Sequence, residues 1–229
     1  MSPTLVIFDL DGVLVDSEHL AARAVAEEAA DWGSTVSAAE VLARFVGLTD
    51  KRIGQVLSAE AGGQLPADFA ERVHRRALAL IDRELEPVPG ARAALETLAL
   101  PRCVASNSRP DRVIRSLAAT GLSAHFADDT LFSAAQVARP KPAPDLHRHV
   151  AAEMGIQAAE AVVIEDSETG VAAAVAAGMT VLGFVGAGHI TDRDAQAARL
   201  TAAGASLVFD ELRTLPDLLN GTVTNTKLQ

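Results

Sequence analysis

The chain has one cysteine, Cys103, in 229 residues. That excludes an intramolecular disulfide framework and a cysteine-based zinc site. The thiol falls in the apolar run Cys103-Val104-Ala105 and reads as buried and inert. Positive charge is also scarce: 20 Lys and Arg stand against 30 Asp and Glu, a formal charge of −10. A field of that sign repels phosphate backbones, which argues against nucleic acid as a partner. An anionic small substrate would need local positive charge or a metal. The opening apolar stretch, Leu5 to Phe8, is too short for a signal peptide and is closed at once by Asp9. Gly170 to Gly188 carries no charge and is long enough to suggest a membrane helix. Gly178 divides it into an Ala-rich helix and a strand, so no span is expected. A soluble, cytoplasmic monomer without membrane or nucleic-acid partners is the expectation.

What is present is globular: 49% of residues are hydrophobic and 22% charged. The runs Leu5–Phe8, Cys103–Ala105, Val162–Ile164 and Val181–Phe184 lack in/out alternation, as strands buried on both faces do. Ala205 to Phe209 is a weaker fifth candidate. Helical patterns separate the later runs, at 91–98, 110–119, 144–154, 168–177 and 192–203. Strand–helix alternation of this kind predicts an α/β fold, a Rossmann-like parallel sheet with helices on both faces.

The stretch 17–86 breaks the alternation. It offers helical patterns near 20–30, 38–45, 51–61 and 66–85 and no convincing strand, and Glu86-Pro87-Val88-Pro89-Gly90 stops the last of them. The expected organisation is a core from 1–16 and 87–219, a small all-helical cap at 17–86 able to move as a lid, and a frayed tail at 220–229.

Ligands of an open parallel sheet bind beyond the carboxyl ends of its strands. The first strand is followed by Asp9-Leu10-Asp11-Gly12, the second by Ser106-Asn107-Ser108, and the Val162 run by Glu165-Asp166-Ser167. Lys141 lies in a proline-rich loop reached from a short strand near 130–133. Four carboxylates on one edge cannot all stay ionised without a compensating cation. An oxygen-rich set without His or Cys favours Mg²⁺. Asp166 has a second possible use, as the cap of the helix that follows it. His147 and His149, two apart on a helix, point to different sides and make no metal pair. His19, His74, His125 and His189 lack ligand spacing. Trp32 is expected to pack within the cap, and Arg75-Arg76 to be solvated.

These residues carry a resemblance. Asp9-Leu-Asp11-Gly12-Val13-Leu14-Val15-Asp16-Ser17-Glu18, Ser106, Lys141-Pro-Ala-Pro-Asp145 and Glu165-Asp166-Ser167 together resemble the four motifs of the haloacid-dehalogenase superfamily, in order, over about residues 5–219. The helical insert resembles that of the subclass with a cap between the first two motifs. The resemblance implies an Mg²⁺-dependent phosphatase of a small phosphorylated metabolite, a sugar phosphate or phosphorylated sugar acid. Asp9 would be the nucleophile that becomes an aspartyl phosphate, Asp11 the general acid and base, and Lys141 the stabilising cation. Ser106 and Asn107 would hold phosphate oxygens. Asp9, the backbone carbonyl of Asp11, Asp166 and Glu165 would surround the metal. In the cap, Arg44 and Lys51 are the cations offered to the substrate, flanking the loop at Val46-Gly47-Leu48-Thr49.

Family membership leaves the reaction open. The presence of Asp11 argues against dehalogenases and phosphonate-cleaving relatives, which lack that aspartate. A β-phosphoglucomutase-like mutase is the nearer rival. Mutases typically carry a histidine where this chain has Ala21, and a cap arginine where it has Asp50. A catalytically degenerate binding protein is the third alternative.

Overall fold

The computed structural model describes residues 3–45, 50–60 and 65–221. The chain divides into two compact units, Met1–Asp16 with Pro87–Gln229, and Ser17–Glu86.

The larger unit is built on six strands: β1 (Leu5–Phe8), β2 (Arg102–Ser106), β3 (Leu131–Ser133), β4 (Ala161–Glu165), β5 (Thr180–Phe184) and β6 (Leu207–Phe209). They form one parallel sheet in the order β3-β2-β1-β4-β5-β6. The chain therefore reverses its winding beside β1, which is where such sheets open a crevice for ligands. Among its described residues six α-helices complete the unit: α5 (Ala91–Thr97), α6 (Pro110–Ala119), α7 (Asp145–Glu153), α8 (Glu168–Ala177), α9 (Arg193–Ala203) and the short α10 (Leu215–Leu219).

Every residue of β1 and β4 is buried, so neither strand alternates. On one face Leu5, Ile7, Cys103, Ala105, Val163 and Val181 pack with Leu146 and Val150 of α7, Val171 and Ala174 of α8, and Leu200 of α9. The strand pleat sends Val6, Phe8, Val104, Val162 and Ile164 to the opposite face, where they are buried too. Phe8 there meets Phe126 edge-on, ring centroids 6.4 Å apart. Cys103 lies inside this core, and burial pushes its thiol up to about 12.

Local chemistry sets the element ends. Pro110 opens α6, where its missing N–H costs no hydrogen bond. Gly178, at φ 87°, ends α8 in the left-handed conformation and separates it from β5. The strand expected at 205–209 starts later, because the Ala205 N–H closes α9 by donating to the Leu200 carbonyl at 3.0 Å. Helix α10 had no sequence expectation. No helix among the described residues is long and apolar enough to cross a membrane.

The smaller unit contains α1 (Glu18–Ala30), α2 (Ala38–Phe45), α3 (Asp50–Glu60) and α4 (Phe69–Glu84), and no strand among its described residues. Leu20, Ala24 and Val25 of α1 and Val73, Ala77, Leu80 and Ile81 of α4 are buried. One expectation needs correction here. Arg76 is not simply solvated: it donates to Glu28 at 3.0 and 3.1 Å and to Asp31 at 2.6 Å, because buried Glu28 needs a countercharge. Trp32 is 36% exposed, with the Arg72 guanidinium 5.6 Å from its ring centre. The segments that lead into and out of this unit pair beside the sheet: Val15 bridges Pro87, and the Val88 N–H donates to the Leu14 carbonyl at 3.0 Å.

Candidate active site

The site is assembled at the carboxyl edge of the sheet. β2 and β4 each run one residue further than their apolar stretches, because ladder bonds use only backbone groups. Ser106 and Glu165 are thus the last residues of their strands, and Asp9 follows β1, its N–H donating to the Ile164 carbonyl at 3.0 Å.

Lys141 ties these ends together. Its Nζ donates to Asp9 Oδ1 at 2.7 Å, to Glu165 Oε1 at 2.5 Å and to the Ala105 carbonyl at 2.7 Å. All three ammonium hydrogens have acceptors, as a buried lysine requires. Burial alone would lower this amine's pKa, but Asp9 and Glu165 outweigh it and hold the ammonium charged well above the ordinary lysine range. The loop carrying Lys141 is clamped by Asn107, whose Nδ2 donates to the Lys141 carbonyl at 3.1 Å and whose Oδ1 accepts from the Lys141 N–H at 3.0 Å. Arg139 and Asp145 close the same loop with bonds of 2.8 and 2.9 Å. Asn107, expected to hold phosphate, therefore holds the lysine loop, with one Nδ2 hydrogen left over.

Asp9, Glu165 and Asp166 each present a carboxylate oxygen within 4.8 Å of the others, and all three are buried. Burial, first, and the charges of Glu165 and Asp11 push the Asp9 carboxyl up to about 8 against the pull of Lys141. Three acids against one ammonium leave an excess of negative charge that a divalent cation would neutralise. The all-oxygen donor set suits a hard cation such as Mg²⁺. Within this group Glu165 is the most committed: Oε1 accepts from Lys141, and Oε2 accepts from Ser167 Oγ at 3.0 Å.

Two glycines make the packing of these acids possible. A Cβ on Gly12, which sits at φ 79°, would lie 1.9 Å from Asp166 Oδ2. One on Gly170, in the first turn of α8, would lie 1.8 Å from Glu165 Oε1. The cap of α8 is Ser167, whose Oγ accepts from the Gly170 N–H at 3.1 Å. Asp166 is thus not the capping residue.

Asp11 faces other partners. Its Oδ1 accepts from Arg112 Nη2 at 2.8 Å, and its Oδ2 accepts from Ser108 Oγ at 2.7 Å. Ser106 Oγ is 3.5 Å from the same Oδ2 and accepts from the Ser108 N–H at 3.0 Å. Sequence reasoning assigned nothing to Ser108 or Arg112. Their signal was positional: one follows a strand-end serine by two residues, the other lies in the first turn of the helix leaving that edge. His189, set aside for lack of ligand spacing, has Nε2 3.6 Å from Asp166 Oδ2. It comes from the loop after β5, at the same edge.

The cap residues fare differently. Arg44 forms an ion pair with Glu60 and lies over the Phe45 ring, 4.6 Å from its centre. The loop 46–49 and the side chain of Lys51 lie outside the described residues.

A buried carboxylate, a lysine and two further acids thus stand together at the central strand ends of a parallel α/β sheet, a fold and site of the hydrolase class. The family model for haloacid dehalogenase-like hydrolases matches residues 6–184, and the chain belongs to that family. It is 36% identical over 185 residues to 6-phosphogluconate phosphatase of Escherichia coli K12, covering 80% of this chain and 83% of the relative. It is 32% identical over 227 residues to a plasmid-encoded phosphoglycolate phosphatase of Cupriavidus necator, covering 94% and 93%. Among solved structures, a haloacid dehalogenase-like protein of unknown function from Agrobacterium tumefaciens superposes with a TM-score of 0.83. The identity is 37%, over 96% of this chain and 99% of that one.

Proposed function

We propose that this hydrolase is an Mg²⁺-dependent phosphatase of small phosphorylated metabolites that works through an aspartyl phosphate on Asp9. The observation that carries the reading is the buried Asp9 carboxylate at the end of β1, bonded to Lys141 and grouped with Glu165 and Asp166. The phosphatase relatives, one of a phosphorylated sugar acid and one of a phosphorylated hydroxy acid, support the substrate class.

In this reading Lys141 orients Asp9 through Oδ1, and the carboxylate attacks phosphorus as the ester oxygen departs. Asp11 protonates that oxygen, then takes a proton from the water that cleaves the aspartyl phosphate, so the residue ends as it began. Ser106 and the backbone around it hold phosphate oxygens. Asp9, Asp166 and the Asp11 carbonyl would hold the metal, with Glu165 bracing Lys141 and available as a further ligand. Mg²⁺, when bound there, would supply charge neutralisation to the transferring phosphoryl group.

Release of inorganic phosphate from p-nitrophenyl phosphate in the presence of Mg²⁺ tests the proposal. Activity should vanish with a chelator and return with Mg²⁺. Asp9→Asn should lose at least about a thousandfold in kcat, because an amide is not a competent nucleophile. Folded Asp9→Asn that retains turnover would refute the nucleophile assignment. Ala21, on α1, offers no acid or base, which favours hydrolysis over mutase transfer. A mutase would instead need a bisphosphate primer and release little phosphate.

A further inference from the structure

We propose that Gln196, on α9, is a positioning residue for the metal site: it pins the main chain at Asp166 so that this carboxylate stays aimed where the cation would sit. The inference goes beyond the phosphatase reading and rests on the metal in it.

Asp166 is the first residue past β4, where the register with β5 ends at Glu165 opposite Gly183. A buried main-chain carbonyl beyond that point needs a donor from outside the ladder. Gln196, one turn into α9 and 30 positions further along the chain, supplies it: Nε2 donates to the Asp166 carbonyl at 2.6 Å. The Ser167 N–H, at the other end of the same peptide plane, donates to Glu165 Oε2 at 3.3 Å. Because the peptide is planar, bonds at both ends fix its orientation, and with it the backbone torsion that directs the Asp166 side chain.

The Gln196 amide is itself oriented. Arg199, a turn further along α9, donates from Nε to Gln196 Oε1 at 3.0 Å and from Nη2 to the same oxygen. With Oε1 claimed by a cation, Nε2 is the atom that faces Asp166; the flipped amide would set one acceptor against another. Arg199 is anchored in turn by Glu168 of α8, at 3.1 Å. Asp166 has little slack to absorb a loosened backbone. A Cβ on Gly12 would lie 1.9 Å from its Oδ2, so the carboxylate rests against main chain on that side. On the other it shares space with Asp9 and Glu165, the three oxygens lying within 4.8 Å of one another. Mg²⁺ takes its ligands at about 2.0–2.1 Å with near-octahedral angles, whereas the larger Ca²⁺ accepts looser arrangements. A displaced Asp166 would therefore cost Mg²⁺ more than Ca²⁺.

Calorimetric titration of Mg²⁺ and of Ca²⁺ into wild type, Gln196→Met, Gln196→Glu and Arg199→Met tests the proposal. Methionine keeps the length of glutamine without its donor. Gln196→Met should weaken Mg²⁺ binding about tenfold, as loss of an outer partner of a metal ligand does, and Ca²⁺ binding only about twofold. Gln196→Glu adds a negative charge, which alone would tighten a cation site, but sets an acceptor against the Asp166 carbonyl; it should still bind Mg²⁺ more weakly than wild type. Arg199→Met, which frees the amide to turn, should weaken Mg²⁺ binding about threefold. The Mg²⁺ concentration giving half-maximal hydrolysis of p-nitrophenyl phosphate should rise in step with each loss. Folded Gln196→Met with wild-type Mg²⁺ affinity, or with equal losses on the two ions, overturns the proposal. Should that variant fail to fold, Gln196→Glu and Arg199→Met decide it by the same comparison. Wild type that binds neither cation would instead refute the metal reading on which the inference rests.

Discussion

His147 lies on α7, is fully buried, and has no hydrogen-bond partner for either ring nitrogen. Burial, with the Lys141 charge adding to it, lowers its pKa from 6.5 to about 3. The unfolded chain takes up a proton here as pH falls below 6.5, whereas the folded chain does so only near 3. The folded state thus keeps its full stability above about 6.5 and loses it on acidification through that window, at roughly 1 kcal/mol per pH unit. His147→Leu should remove this sensitivity. Urea unfolding at pH 7 and pH 5 should show a smaller loss in the variant than in wild type, and parallel losses would acquit His147. The same residue illustrates why composition misleads at this scale. Neither His147 nor His189 reads as a metal ligand in the sequence, yet one is sealed in the core and the other stands 3.6 Å from Asp166.

At the scale of elements, the start of α8 serves two purposes. Ser167 Oγ accepts from the Gly170 N–H, capping the helix, and donates to Glu165 Oε2, which braces Lys141. Helix start and site are one construction. Ser167→Ala should cost about 1–2 kcal/mol of stability from the lost cap. It should also lower kcat, because Glu165 loses an anchor; Ser167→Thr should restore both. Denaturant melts paired with phosphate-release assays would check this, and an alanine variant with unaltered kcat would separate the cap from the site. Sequence pattern placed this helix at 168–177, and it is found at Glu168–Ala177. Pattern was less informative for β6, where the weak run 205–209 forms a strand only over Leu207–Phe209. There the competition between closing α9 and joining the sheet is settled by tertiary geometry.

For the whole molecule, the proposed metal and a proton would compete for one carboxylate. Asp9 is raised to about 8 in the metal-free protein, whereas the unfolded chain ionises near 3.8. Between those values the folded state holds a proton that the unfolded state has lost, so the metal-free protein loses stability as pH rises through that window. A divalent cation needs the ionised form and must displace that proton. Mg²⁺ affinity should climb up to about tenfold per pH unit from pH 6 to 8 and level off above. Mg²⁺ should likewise raise the melting temperature more at pH 8 than at pH 6. Calorimetric titration at pH 6, 7, 8 and 9 would show it, and a flat affinity would remove Asp9 from the coordinating set. Asp9→Asn should abolish the pH dependence.

The positions of the buried strands along the chain, the placing of Asp9, Ser106, Lys141, Glu165 and Asp166 at loop or strand ends, and the family itself were legible in the sequence. Each follows from local patterns: apolar runs without alternation, punctuation by Gly and Pro, and motifs that stand directly after a strand. What only the tertiary structure decided is how side chains from distant segments divide their bonds. Asn107 turns to the backbone of Lys141, Glu165 to Lys141 and Ser167, and Asp11 to Arg112, 101 positions away. Hydrogen bonds are directional and short, so partnership depends on ångström placement that parallel strands and helices confer only once packed.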